Sequence, residues 1–456
     1  MATTVIPGPT ERIPWIGSAR AFAANPPEFL AQAARTYGPI SRLTLFGQVF
    51  YLVAQPDLVR EVLVGQYELL PKTERDIEIL SRAVGKGLLT SSGAEHRQQR
   101  RLVQPAFHTG RIAEYGEIMV SYAAQMADGW QSGEQIDMNH QMMQLTMFII
   151  AKTLFDAEPA SMAGEADTIG EAIHVIQETS NAEFKSPVMF PRWLPTPRNR
   201  RRQSARAVLD ETIDRIIQER RLSDGPGLPQ DRGDLLSMLL LTRDETGGRL
   251  GPAEIRDQLV TFFVAGHETT SNALTWAWYL LARHPEAEAL LHEEVRTVLG
   301  GRLPTVDDLP RLTYTEMGVK EAMRLYPPAW ILSGRVGSAD IALGPYHLPA
   351  GSAVFISPYA MHRLPDYFSE PDRFVPERFT AAKERELPRY AYIPFGAGPR
   401  VCIGNHFAML EVRLILATIA QRFRFALPPG HEVVLNPQIT LSPRDGLCMR
   451  VRSIVI

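Results

Sequence analysis

Two cysteines in 456 residues leave this chain without a disulfide framework, and Cys402 and Cys448 lack the paired spacing of a structural zinc site. A reducing cytoplasm is the expected setting. Excess charge is missing too: 48 basic against 51 acidic residues give a net charge of -3, which argues against the strongly basic footprint of a nucleic-acid binder. The N-terminus has no basic stretch followed by an apolar run of signal-peptide length, and no segment reaches the ~20 uncharged apolar residues of a membrane span. The expectation is a protein neither exported nor anchored in a membrane. Internal repeats, low-complexity tracts and linker-like composition shifts are absent as well, which favours one large domain.

What is present is an ordinary globular composition, 45% hydrophobic and 22% charged, with enough apolar residues to enclose a cofactor. Residues 27–37 carry helical spacing, and 40–53 are rich in β-branched and aromatic residues around a turn at Gly47. Residues 93–299 read as almost entirely helical, broken by loops at 187–197 and 223–229. A further helix is expected over 304–326, short strands over 331–356, a proline-rich irregular stretch over 357–393, a helix over 402–423, and strand-like pieces after 425. The fold class predicted is mainly α with a small β-rich lobe. The lobe would take residues 37–70 and 330–356, and the helical body 93–326 and 402–423, in a single domain over 1–456. Arg198, Arg200, Arg201 and Arg202 at a helix start read as a solvated face.

Cys402 is the residue with the clearest chemistry. It follows a glycine-rich turn and is expected to open a long apolar helix, where backbone N–H groups favour a thiolate able to ligate a metal. Gly396, Gly398 and Gly404 would let backbone approach a flat object, Phe395 could shield the sulfur, and Arg400 could pair with a carboxylate. The alternative is a buried structural cysteine.

Three other segments carry polar groups in suggestive places. Glu321 and Arg324 lie three apart, on one helix face, and can pair; Pro376-Glu377-Arg378-Phe379 follows later. A helix beginning near Gly251 carries Ala265-Gly266-His267-Glu268-Thr269-Thr270 inside apolar sequence, where an acid and an alcohol are costly. Gly266 there allows a close approach or a local opening of the helix. For Thr269 the ordinary alternative is a hydroxyl bonded back to its own helix, and for His267 it is packing or a supporting hydrogen bond. Upstream, residues 93–101 place His96, Arg97, Arg100 and Arg101 on one helix.

The pattern Phe395, two residues, Gly398, one residue, Arg400, one residue, Cys402, one residue, Gly404 resembles the haem-binding signature of the cytochrome P-450 family. Thiolate ligation of haem is a known protein device that assists O–O cleavage. The resemblance runs from the Pro-Gly-Pro opening to the last strands. It implies a triangular helical prism enclosing haem b (iron protoporphyrin IX), with Cys402 as proximal ligand and sole metal-binding side chain. It likewise implies that Glu321, Arg324 and Arg378 form a structural triad bracing the cysteine loop. Arg100 and Arg335 would contact haem propionates; His96 would too, although it stands where the family usually has Trp. Arg97 and Arg101 are left open between solvation and docking an acidic electron donor.

By the same resemblance Glu268 and Thr269 would manage proton delivery, and the substrate pocket would draw on Leu89, the 178–190 region, Ala265, Ile331, Leu332 and Thr440. The reaction implied is monooxygenation of a hydrophobic small molecule (fatty acid, terpenoid or steroid-like) with dioxygen. Electrons from NAD(P)H would arrive through a separate ferredoxin or flavodoxin and its reductase. The alternative of another class is a haem-binding or sensing protein without turnover.

Overall fold

The computed structural model describes residues 5–10, 16–157, 164–186, 188–225, 229–242 and 250–454. The chain divides into two compact units, one from Met1–Ile77, Lys320–Cys402 and Ile439–Leu441, the other from Glu78–Val319, Ile403–Gln438 and Ser442–Ile456.

The first unit is built on a four-stranded sheet. Ile40–Leu45 and Gln48–Val53 form an antiparallel hairpin in which Leu45 faces Gln48. The two-residue turn between them, Phe46-Gly47, has positive φ at both positions (51° and 77°), the turn geometry whose twist matches that of the strands. Ala353–Ile356 joins Gln48–Val53 in parallel, and Arg335–Val336 closes the other edge antiparallel to it. The helix Pro26–Tyr37 has proline in its first turn and buries Leu30, Ala31, Ala33 and Ala34. The expected strands of 331–356 are four short ones, and the irregular stretch of 357–393 contains only the short turns Pro358–Met361, Pro376–Phe379 and Ala381–Glu386. The helix expected over 304–326 is Thr313–Leu325, preceded by a short 3-10 turn at Val306–Asp308.

The second unit is mainly helical. Its longest helix, Pro252–Arg283, starts with proline, and the Glu254 carboxylate accepts the Gly251 N–H at 2.7 Å. This helix packs along Met138–Phe155, and Gly266 is what lets it do so: a Cβ there would fall 2.8 Å from Ile150 Cδ1. The helix is unbroken through Gly266, so close approach is its role rather than an opened turn. Asn405–Ala420 packs against both Gly116–Asp128 and Pro252–Arg283. A three-stranded antiparallel sheet of Gln135–Asp137, Cys448–Ser453 and Phe423–Ala426 completes this unit. Among the described residues no helix is long and apolar enough to cross a membrane.

Candidate active site

Cys402 is exposed and lies in a loop. The helix begins at Asn405 with Gly404 as its cap and ends at Ala420, so Cys402 precedes the helix rather than opening it. The reason is local: Gly398–Arg400 makes a 3-10 turn, Val401 turns extended, and Cys402 N–H is drawn back to the Phe395 carbonyl at 2.9 Å. The glycines serve different ends. At Gly398, with φ 70°, a Cβ would sit 2.1 Å from the Leu63 carbonyl oxygen, so the loop's own chain demands glycine there. A Cβ at Gly396 or Gly404 would meet nothing closer than 3.9 Å.

In the same unit Glu321 bonds both Arg324 and Arg378. Arg324 grips Glu321 through two hydrogen bonds of 2.6 and 2.8 Å, and both side chains have no exposure. Arg378 Nε reaches Glu321 Oε1 at 3.3 Å, a longer contact from a side chain that is 12% exposed. The remaining guanidinium donors of Arg324 go to the carbonyls of His362, Pro371 and Arg373 at 2.8, 2.6 and 2.9 Å. His362, which sequence reading missed, continues this network: its Nε2 accepts the Ile393 N–H at 2.9 Å, just before the cysteine loop.

A second cluster in the same unit gathers cations. A β-bridge places Lys72 beside Arg335, and both are buried. Burial, and then the charges of Arg400 and Arg335, pull the Lys72 ammonium down to about 7. Burial and Arg400 lower Arg335 to about 10, and its Nε and Nη1 have no hydrogen-bond partner. Among the described residues Asp76 is the carboxylate that acts on Lys72 and Arg335, and it is itself raised by burial although it accepts the Gly334 N–H at 2.7 Å. Arg335 thus keeps two buried guanidinium donors without a hydrogen-bond partner beside two further cations. Two carboxylates, such as those of haem, supply what it lacks, so the residues fit that group. Neither Lys72 nor Asp76 was legible in the sequence, because nothing local marks a lysine as buried.

The remaining candidates from the sequence fall as follows. His96 is buried and Arg100 half-buried, one turn apart on the helix Gly93–Val103, with Arg97 and Arg101 exposed. Glu268 is buried in the helix Pro252–Arg283. The neighbouring Thr269 hydroxyl donates to the Ala265 carbonyl at 2.8 Å, the back-bonded arrangement, which leaves its oxygen free to accept. His267 is buried: its Nδ1 donates to the Phe263 carbonyl at 2.6 Å, and burial lowers it to about 4. Leu89 and Ala265 belong to the helical unit; Ile331, Leu332 and Thr440 belong to the sheet unit. There, Leu332 N–H donates to the Ile356 carbonyl, and Leu441 N–H bonds the Pro328 carbonyl at 2.9 Å, bringing the Thr440 turn towards Ile331.

One further buried acid stands out. Glu411, on the helix Asn405–Ala420, is completely buried, and burial raises its carboxyl well above the ordinary range, opposed by the Thr270 hydroxyl. That hydroxyl donates instead to the Gly266 carbonyl at 2.9 Å. The sequence did hold a signal for it, since Glu411 falls on the apolar stripe marked by Phe407, Leu410 and Leu414.

One unit thus carries the cysteine loop, a buried Glu-Arg pair and a buried cation cluster that fits carboxylates, and the other carries the helix with Glu268 and Thr269. The family model for cytochrome P450 matches residues 7–448, and the chain belongs to that family, whose members bind haem. Cyclooctatin synthase of Streptomyces melanosporofaciens is 42% identical over 443 residues, covering 96% of this chain and 93% of the relative. Cyclooctat-9-en-7-ol 5-monooxygenase of the same organism is 39% identical, covering 92% and 89%. Pentalenene oxygenase of Streptomyces avermitilis is 34% identical, covering 92% and 91%. The protein is thus a cytochrome P450 monooxygenase acting on a hydrophobic small molecule.

Proposed function

We propose that this enzyme hydroxylates a carbocyclic terpenoid. The observation that carries this choice over a fatty acid or steroid is the likeness to relatives named for cyclooctatin, cyclooctat-9-en-7-ol and pentalenene, along nearly the whole of each chain. One oxygen atom enters a C–H bond to give an alcohol, the other leaves as water, and two electrons with two protons are consumed. The electrons come from NAD(P)H through a separate ferredoxin or flavodoxin and its reductase.

Haem b, when bound, supplies dioxygen activation. Cys402 would hold its iron, and Lys72, Arg335 and Arg400, with His96 and Arg100, would take its carboxylates. Phe395 shields the sulfur, while Gly396 and Gly404 keep side-chain bulk away from the cofactor. The Glu321, Arg324 and Arg378 network holds the cysteine loop in place. Glu268, buried in its helix, would take part in proton delivery. Thr269 keeps its own proton on the Ala265 carbonyl and accepts hydrogen bonds through its oxygen. Leu89, Ala265, Ile331, Leu332 and Thr440 would contribute contacts to the substrate, and their mostly apolar character favours a hydrocarbon skeleton.

The test is a panel of cyclic terpenoid alkenes and alcohols, fatty acids and steroids, scored for spin-state shift and then for product with a surrogate ferredoxin and reductase. Terpenoids giving both a shift and an alcohol product support the assignment. Shift and product only with fatty acids or steroids would overturn the substrate class, and a shift without turnover would overturn the reaction.

A further inference from the structure

The helix Pro252–Arg283 carries a buried amide, Gln258, among the apolar neighbours Ile255, Leu259, Phe262 and Phe263. A buried amide is costly unless it is hydrogen-bonded. Its Oε1 accepts the Leu88 N–H at 3.1 Å, from a loop 170 residues earlier in the chain. The adjacent Asp257 holds the other end of that loop: its Oδ2 accepts the Lys86 N–H at 2.8 Å, and its Oδ1 accepts Arg206 Nη2 at 2.8 Å. Arg206, from the helix Pro197–Asp224, also donates to the Ala83 carbonyl at 3.0 Å, just before the loop begins.

The loop is shaped to lie against this helix. Gly85 has φ 82°, and a Cβ there would fall 2.0 Å from Asp257 Oδ1; at Gly87 it would fall 2.3 Å from Thr261 Oγ1. Within the loop, the Thr90 hydroxyl donates to the Gly85 carbonyl at 2.8 Å and accepts the Gly87 N–H at 3.0 Å, so residues 85–90 close into a unit of their own. Leu88 is buried and Leu89 half-buried. Gln258 and Thr261, which meet the loop, are followed at helical spacing by Ala265 and Thr269, so all four share one helix face. Gln258 precedes Ala265 by roughly two turns and 10 Å along the axis. A clasp at Gln258 therefore fixes where Leu89 stands relative to Ala265 and Thr269.

We propose that Gln258 is a positioning residue for the substrate: through the Leu88 amide it sets the place of Leu89, and with it the room beside Ala265 and Thr269 for a hydrophobic molecule. This rests on the reading that Leu89 and Ala265 meet the substrate. Gln258 does not touch the reacting atoms. It decides how far a rigid carbon skeleton advances, and so which of its carbons is presented for oxidation. An apolar residue would fill the same volume but leave the buried Leu88 N–H unpaired, letting the loop shift along the helix face.

The experiment titrates the haem-loaded enzyme with two iron-ligating probes, imidazole and 4-phenylimidazole, whose added ring needs room in the pocket. Both bind whatever the natural substrate, so failure of the terpenoid assignment leaves this test intact. Gln258→Met keeps the volume and removes the acceptor; Gln258→Glu keeps an acceptor oxygen. In Gln258→Met, hydrogen exchange of the 85–90 segment should accelerate. The dissociation constant for 4-phenylimidazole should rise roughly fivefold, the size of one lost hydrogen bond, while that for imidazole stays unchanged. Gln258→Glu should restore both properties. Thr90→Val loosens the loop from its own side and should reproduce the methionine pattern, so misfolding of one variant leaves the other as a test. Each is compared only after its reduced carbon monoxide spectrum matches the wild type. Unchanged exchange, equal weakening of both imidazoles, or faster exchange with unchanged or tighter 4-phenylimidazole binding overturns the proposal, as does a glutamate variant that behaves like the methionine one.

Discussion

The ring Nε2 of His362 accepts the backbone N–H of Ile393 at 2.9 Å, while the His362 carbonyl accepts Arg324 Nη1 at 2.8 Å. One residue thereby ties the Glu321–Arg324 pair to the strand of chain leading into the cysteine loop. An accepting Nε2 fixes the tautomer with hydrogen on Nδ1. Burial, and then the charges of Arg324 and Arg363, hold His362 well below its ordinary pKa, so it keeps this acceptor across the neutral range.

His362→Ala leaves the buried Ile393 N–H unpaired, at a cost of about 1–3 kcal/mol. The expected result is a lower urea midpoint together with loss of the thiolate-type carbon monoxide band before helicity is lost. His362→Gln, which keeps an acceptor, should retain more of both. If the alanine variant held its band as long as the wild type, the link to the cysteine loop would be wrong.

A haem carboxylate placed beside Lys72, as proposed, would make haem uptake proton-linked. Its pKa in the folded protein is about 7, below the ordinary 10.5, so the unfolded chain binds more protons between those values. Stability of the haem-free protein therefore rises with pH from about 7 towards 10.5, and Lys72 gives no slope below 7. Two haem carboxylates would return the ammonium to its charged form, so binding takes up a proton just above neutrality. Calorimetry of haem binding at pH 8, in buffers of different ionisation enthalpy, should show this uptake in the wild type and its loss in Lys72→Met. Equal uptake by both would assign the proton elsewhere.

Glu411 sets the opposite slope. Its folded pKa is raised, so above about pH 4.5 the unfolded chain binds fewer protons than the folded one, and stability falls as pH climbs towards the folded value. Glu411→Gln removes the ionisation while keeping the shape. The variant should be more stable than wild type at pH 8, with the gap closing towards pH 5, as read from urea midpoints. His267, lowered to about 4, contributes the reverse slope between 4 and 6.5 in both proteins, so it cancels from the difference. A gap independent of pH would refute the assignment.

Thr269→Ala removes the hydroxyl proposed for proton delivery while costing little stability, because its present bond to Ala265 is a local back-bond of about 1 kcal/mol. Peroxide released per NADPH consumed should rise several-fold at the expense of product, with the fold and haem content unchanged. Thr269→Ser should restore most of the coupling. Unchanged coupling in the alanine variant would remove Thr269 from proton delivery.

The sequence alone carried everything that depends on near neighbours in the chain. The spacing from Phe395 to Gly404, the three-residue step from Glu321 to Arg324 and the apolar frame around Glu268 and Thr269 are local patterns, and helix and loop geometry converts them directly into shared faces and close approaches. Even there the boundary slipped: Cys402 precedes its helix, because the Phe395 carbonyl captures its N–H. Only the tertiary structure decided which ordinary residues became unusual. Lys72 meets Arg335 through a bridge between distant segments, His362 meets Ile393 across a turn of irregular chain, and Glu411 loses all contact with water through helix packing. Burial and charge proximity are sums over everything that folds around a residue, so no window of sequence contains them.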